Sequence, residues 1–215
     1  MFKRFALVFC ILLALAACDR DYRQSPLPST SNVVILGDSL TFGTGAATGE
    51  DYASLLAGTT GWHIINAGVP GNTTQDALTR LPDLLDAHEN GEQKIDLLII
   101  ELGGNDFLKR VPETQTVNNL KSILSQAKAK NIAIALIAIP EFSPVGAAFG
   151  TLSDHPLYEK LAEETDTPLI EDLFSDVLAK NSLKADYIHL NAAGYRVVAE
   201  KLHNALIDLG YLHKN

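Results

Sequence analysis

Ser39 stands in Gly37-Asp38-Ser39-Leu40, directly after the apolar run Val33-Val34-Ile35-Leu36, and Asp186-Tyr187-Ile188-His189 precedes the last helical segment of the chain. A serine hydroxyl is a weak nucleophile until a neighbouring base takes its proton. A carboxylate three residues before an imidazole, in a loop, can accept from Nδ1–H, fix the tautomer and leave Nε2 for the serine. Acyl transfer by such a serine also needs donors for the oxyanion that develops on the attacked carbonyl. Two segments offer them. In Asn66-Ala67-Gly68-Val69-Pro70-Gly71-Asn72-Thr73, two glycines and a proline ahead of a helix start can turn backbone N–H groups toward one point. In Gly103-Gly104-Asn105-Asp106, the Asn105 amide adds a neutral donor. Alone, each segment also reads as an ordinary tight turn. Their shared position after strand-like runs favours the chemical reading.

Neighbouring residues take other roles. Asp38 is expected to hold the serine turn by accepting backbone or Asn side-chain hydrogen bonds, because an ionised acid acting beside Ser39 would disfavour the oxyanion. Leu40 and Phe42 read as packing residues. His63, His88, His155, His203 and His213 lack an orienting acid in a loop at the expected edge, His155 being the closest case because it follows Asp154. No His, Cys and acidic cluster has metal-ligand spacing, so neither metal nor cofactor is expected.

Elements must carry these segments to one place. Besides the run before Gly37, residues 62–66, 95–102, 132–139 and 168–171 read as strands. Their near-continuous apolar character suits parallel strands buried on both faces. Helical spacing places Val117, Leu120, Leu124 and Ala127 on one face, and Tyr195, Val198, Leu202, Ala205 and Leu209 on another, the second with Asn191 as cap and Gly210 as stop. Thr73 with Asp76 forms a capping box for a helix carrying Leu78, Leu81, Leu84 and Leu85, which Pro82 should kink or divide. Strand and helix alternate, which implies a doubly wound α/β sheet whose ligands bind at the carboxyl ends of the strands.

The amino terminus reads as an export leader: Lys3 and Arg4, an apolar stretch over residues 5–14, then Leu15-Ala16-Ala17-Cys18. That stretch is too short for an ordinary transmembrane helix. A plain secretory signal cut near Ala17 is one reading. The other is a lipobox, with residues 1–17 removed, Cys18 lipidated, residues 18–31 a flexible Pro- and Ser-containing tether, and residues 32–215 the domain. Cys10 would leave with the leader, so no disulfide is available to the body. Asp19 resembles the enterobacterial signal for inner-membrane retention, giving a periplasm-facing protein of the bacterial cell envelope. Removing Lys3 and Arg4, and no acid, takes the formal net charge from −9 to −11. An acidic body argues against nucleic acid as a partner.

Ser39, Gly71, Asn105 and His189, together with the Gly-Asp-Ser-Leu signature, resemble the SGNH subgroup of the GDSL hydrolases, nearest to bacterial thioesterase I, arylesterase and lysophospholipase enzymes, across residues 33–209. The resemblance implies a flavodoxin-like three-layer α/β/α sandwich with a five-stranded parallel sheet in the order 2-1-3-4-5. It implies Ser39 as nucleophile, His189 as general base and then acid, and Asp186 as its orienter. The Ser39 and Gly71 N–H groups and the Asn105 amide would form the oxyanion hole. The order Ser, Asp, His is that of α/β-hydrolases, although Gly37-x-Ser39-x-Thr41 is not their Gly-x-Ser-x-Gly elbow. The expected reaction is hydrolysis of aryl, acyl or lysophospholipid esters and of thioesters. In the segment 140–150, Phe142, Val145 and Phe149 either line an acyl groove or pack back on the core, and Glu141 suits polar substrates better. Alternatives are a carbohydrate O-acetylesterase of the envelope and a non-catalytic surface binding lipoprotein.

Overall fold

The computed structural model describes residues 24–88, 94–141 and 151–214. Its sheet has five strands, β1 (Asn32–Gly37), β2 (His63–Gly68), β3 (Leu97–Glu101), β4 (Ala133–Ile137) and β5 (Leu169–Ile170). They pair in parallel throughout, in the order β2-β1-β3-β4-β5. The helices are α1 (Ser39–Phe42), α2 (Tyr52–Thr60), α3 (Thr74–Asp86), α4 (Gly104–Leu108), α5 (Glu113–Ala129), α6 (Leu157–Thr165), α7 (Ser175–Leu178) and α8 (Ala192–Asp208). Two helix pairs, α2 with α8 and α3 with α5, clothe the sheet and complete the α/β/α sandwich expected from the sequence.

Burial follows position in the sheet. Val33, Val34, Ile35 and Leu36 of β1 and Leu97 to Ile100 of β3 are wholly buried, as strands with a neighbour on each side should be. β2 departs from the expectation of burial on both faces: it is an edge strand with one neighbour, and His63 and Asn66 are exposed. Of the four leucines expected to carry α3, Leu81 and Leu85 are buried, with Ala77 beside them, while Leu78 and Leu84 are half-buried against the core. Pro82 does not divide α3, which runs on to Asp86. The bond that Pro82 cannot donate costs less than withdrawing Leu81 and Leu85 from the core. The α3 capping box is formed, Thr73 N–H donating to Asp76 Oδ2 at 2.9 Å. α8 starts on the Asn191 side chain, which accepts from Gly194 N–H at 3.0 Å. It ends before Gly210, whose φ of 88° takes the chain out of the helix.

Part of the segment expected to be a free tether lies on the domain. Gln24 N–H donates to Leu209 O and Leu27 N–H to Tyr211 O, both at 2.9 Å, and Ser31 is buried. Gly210, where α8 turns out, leaves room for the Gln24 backbone only because it lacks a Cβ. Tyr211 O–H in turn donates to Ile134 O at the start of β4, so residues 24–31 run along the amino edge of the sheet. Cys18 and Asp19 lie outside the described residues. Among the described residues no helix is long and apolar enough to cross a membrane.

Candidate active site

The strand order reverses around β1, and the segments that follow β1, β2 and β3 meet there at the carboxyl edge. The register sets Gly37 level with Gly68 on one side and with Glu101 on the other. Ser39 opens α1 immediately beyond, with Asp38 as its cap. His189 comes from the loop before α8. Its Nε2 lies 3.0 Å from Ser39 Oγ, and its Nδ1 lies 2.7 Å from Asp186 Oδ2. Asp186 Oδ1 accepts from the N–H groups of Ile188 and His189 at 2.9 and 2.8 Å, so the carboxylate fixes its own loop as well as the ring. Partial desolvation opposes ionisation of Asp186, but the His189 ring and these two N–H groups outweigh it and hold the carboxyl below its usual range. This arrangement can draw a proton from Ser39 and stabilise the imidazolium that results.

Donors stand around Ser39. The N–H groups of Ser39 and Gly71 make no hydrogen bond to the described residues. Gly71 has φ 81° and no heavy atom within 4 Å of where a Cβ would be, so glycine is there for backbone conformation. Asn105 Nδ2 is already committed, donating to Asp38 Oδ2 at 2.9 Å and to Asn72 O at 3.0 Å. An oxyanion would therefore share or replace one of these bonds. Asp38 also accepts from Leu40 N–H at 3.0 Å, and burial raises its carboxyl to about 6 against the pull of that bond, the His189 charge and Asn105. Asp38 is thus placed as the brace of the serine turn.

A residue missed in the sequence lies beneath that turn. Glu101, wholly buried at the end of β3, accepts at Oε2 from Asp38 N–H (3.3 Å), Thr41 N–H (3.2 Å) and Thr41 O–H (2.7 Å). Tyr52 O–H lies 2.6 Å from Thr41 Oγ1 and extends the network. The only sequence signal was an acid closing an otherwise aliphatic strand. Desolvation, then the nearby Asp38 charge, push the Glu101 carboxyl well above its usual value. A raised carboxyl contributes most to folding below its unfolded pKa of about 4.3 and loses that contribution as pH rises, at about 1.4 kcal/mol per unit up to its folded pKa. Glu101→Gln has no such titration, so its urea stability relative to wild type should climb as pH rises above the unfolded pKa of about 4.3. Parallel stability curves for the two proteins would show that Glu101 is ionised in the fold.

A cavity of about 450 Å³ opens beside Ser39, walled by Leu40, Phe107, Ile139, Leu152, Leu178 and Ile188, with Glu141 and Lys184 also on it. Leu40 is buried and offers the cavity only its edge, but Phe42 is 57% exposed, contrary to the packing role expected of it. Phe42, Val69, Leu108, Tyr187 and Ile188 are the large apolar side chains most exposed among the described residues, and all five sit in segments at the carboxyl edge. Phe142, Val145 and Phe149, expected to line an acyl groove, lie outside the described residues. His155 stacks on Phe107 with centroids 4.6 Å apart and accepts from Leu157 N–H, taking no part in the relay. Among the described residues no group of three His, Cys, Asp or Glu could hold a metal ion.

A parallel sheet that carries a serine, an imidazole and a carboxylate in hydrogen-bonded sequence at its carboxyl edge is the framework of a hydrolase working by acyl transfer. Residues 35–197 match the GDSL-like Lipase/Acylhydrolase family, and the chain belongs to it. It is 30% identical over 207 residues to the Thioesterase 1/protease 1/lysophospholipase L1 of Escherichia coli (strain K12), covering 94% of this chain and 91% of that protein. To the Arylesterase of Vibrio mimicus it is 28% identical over 185 residues, covering 83% and 90%. The psychrotrophic esterase EstA from Pseudoalteromonas sp., solved as inhibited by monoethylphosphonate, matches with a TM-score of 0.71 at 26% identity, over 82% of this chain and 97% of that one. The chain is a GDSL-type serine esterase.

Proposed function

We propose that Ser39 attacks the carbonyl of a carboxylic ester, that His189 takes the Ser39 proton and returns it to the departing alcohol, and that water activated by His189 then frees the acid from acyl-Ser39. The observation that carries this is the continuous path Asp186 Oδ2–His189 Nδ1, His189 Nε2–Ser39 Oγ, at 2.7 and 3.0 Å, beside an apolar cavity. Asp186 orients the ring, and Ser39 N–H, Gly71 N–H and the Asn105 amide receive the oxyanion. Thioesters fit the same steps with a thiol as leaving group.

The cavity favours a chain-bearing acyl group over acetyl, since an acetyl group would leave most of about 450 Å³ of apolar space unfilled. Leu108, Tyr187 and Ile188, exposed apolar side chains that line it, favour an aryl or lipid-like ester in the same way. A p-nitrophenyl ester series from acetyl to palmitoyl, run beside acetylated sugars, tests this. kcat/KM should rise from acetyl by up to about fourfold per methylene, the factor for about 0.8 kcal/mol, until the cavity is full. A maximum at acetyl, with turnover of acetylated sugar, would favour the carbohydrate O-acetylesterase instead.

The leader supports an envelope lipoprotein anchored through Cys18. Five residues separate Cys18 from Gln24, six Cα–Cα steps that span at most about 22 Å of extended chain, and Gln24 is held at the amino edge of the sheet. The catalytic edge of an anchored molecule would then face away from the leaflet that holds it. Incorporation of labelled palmitate by the full chain, lost in Cys18→Ala, is the expected result; equal labelling of both would remove the anchor.

A further inference from the structure

Arg80 lies on α3, one turn beyond the capping box, and the reaction as described leaves it without a role. It is half-buried, and the Asp76 carboxylate one turn back on the same helix is near enough to favour its charge. Its Nε–H donates to Asn72 Oδ1 at 2.8 Å, and its Nη2 donates to Gly37 O at 3.0 Å and to Ala67 O at 2.8 Å. One guanidinium thus grips three segments: the end of β1 two residues before Ser39, the end of β2, and the residue after Gly71. Asn72 passes the contact on, because its carbonyl accepts from Asn105 Nδ2, which also holds Asp38.

The helix that carries Arg80 is itself pinned. Thr74 N–H and O–H donate to Asp106 Oδ2 and Oδ1 at 2.8 and 2.6 Å, and Thr116 O–H joins them at 3.2 Å. Asp106 is wholly buried in α4, next to Asn105, so its bonds tie the start of α3 to the Asn105 segment. A planar fork with fixed donor directions suits this task, where a flexible ammonium would satisfy the carbonyls one at a time.

We infer that Arg80 is the positioning residue of the oxyanion hole: it sets the Ser39 and Gly71 N–H groups and the Asn105 amide at one mutual spacing and keeps a cation behind the point where negative charge develops. This rests on the reading of those groups as the oxyanion hole. Arg80 does not touch substrate. Its effect should appear only when the reacting carbon becomes tetrahedral.

The test uses the full chain with Arg80→Gln and Arg80→Lys. In Arg80→Gln, kcat for p-nitrophenyl butyrate should fall about 10- to 100-fold, with KM changed less than about twofold. The affinity of butaneboronic acid, which forms a tetrahedral anionic adduct on the serine, should weaken by the same factor, while that of butyrate, a trigonal product, should hold. Arg80→Lys should recover part of kcat, since an ammonium can reach one or two of the three acceptors. Unchanged kcat and boronate affinity would overturn the inference, as would equal weakening of boronate and butyrate, which is the mark of general collapse. Should Arg80→Gln fail to fold, the same ratio read on Arg80→Lys decides. Failure of the underlying reading looks different, because wild type would then bind no boronate at Ser39.

Discussion

Ser39→Ala and His189→Ala are each expected to lower kcat on a p-nitrophenyl ester by about 10⁴- to 10⁶-fold, and the double variant to be no slower than either single one. The reason is the geometry of the pair. Among the described residues Ser39 Oγ has one side-chain partner, His189 Nε2 at 3.0 Å, and the imidazole is held for that contact by Asp186 at 2.7 Å. Removing the hydroxyl leaves the base nothing to activate, and removing the ring leaves a hydroxyl that is weakly nucleophilic. The second deletion therefore finds nothing left to lose. Folding should be spared, since neither side chain belongs to the hydrophobic core. Urea midpoints within error of wild type, next to the kcat values, check both halves. Losses that multiply in the double variant would mean that Ser39 and His189 act in separate steps, and undiminished turnover in Ser39→Ala would end its assignment as nucleophile.

How much of this could be read from the chain depends on the kind of signal. Helix faces follow from apolar spacing and the strand order from a family resemblance carried by four short segments, and the sheet has that order. The Asp186–His189 contact was legible because both partners stand three residues apart. Glu101 and Arg80 were not. Each reaches partners on other elements, Asn72, Ala67 and Gly37 for Arg80 and Asp38 and Thr41 for Glu101, and no local pattern records which carbonyl or N–H a long side chain will meet. Phe42 was misjudged for a related reason. A phenylalanine in a short turn packs inward only if the turn has an interior face to offer, and α1, four residues long, buries Leu40 and Thr41 and leaves Phe42 outside. The Asn105 amide was legible as a neutral donor but its bonds to Asp38 and Asn72 were not, because a sequence shows a group's capacity and not the bonds it already makes.

Glycine content hides a further distinction, and it leads to the second large effect. Gly68→Ala is expected to cost about 3 kcal/mol of stability, at the upper end for an overpacked core, and to lower kcat by about 10². Gly71→Ala should cost only about 1–2 kcal/mol, the strain of an alanine in left-handed backbone. At Gly68 a Cβ would stand 2.3 Å from Phe42 N, 2.7 Å from Thr41 C and 2.8 Å from Asp38 O, all backbone atoms of the serine turn. None of these can swing aside as a side-chain tip can. The turn cannot retreat either, because Glu101 holds Asp38 and Thr41 from the other side with three hydrogen bonds. Nor can β2 slide away freely, since Gly68 is registered on Gly37 and Val69 N–H donates to Gly37 O at 3.2 Å. The strain must then be taken up by α1, whose first residue is Ser39, and a nucleophile displaced by a fraction of an ångström loses its line to His189. At Gly71 the space is open and the φ of 81° is the only penalty. Urea unfolding of the two alanine variants, with m held to the wild-type value, separates contact from conformation. Equal losses at the two sites would show that β2 gives way at its exposed edge and that the serine turn is not wedged in place.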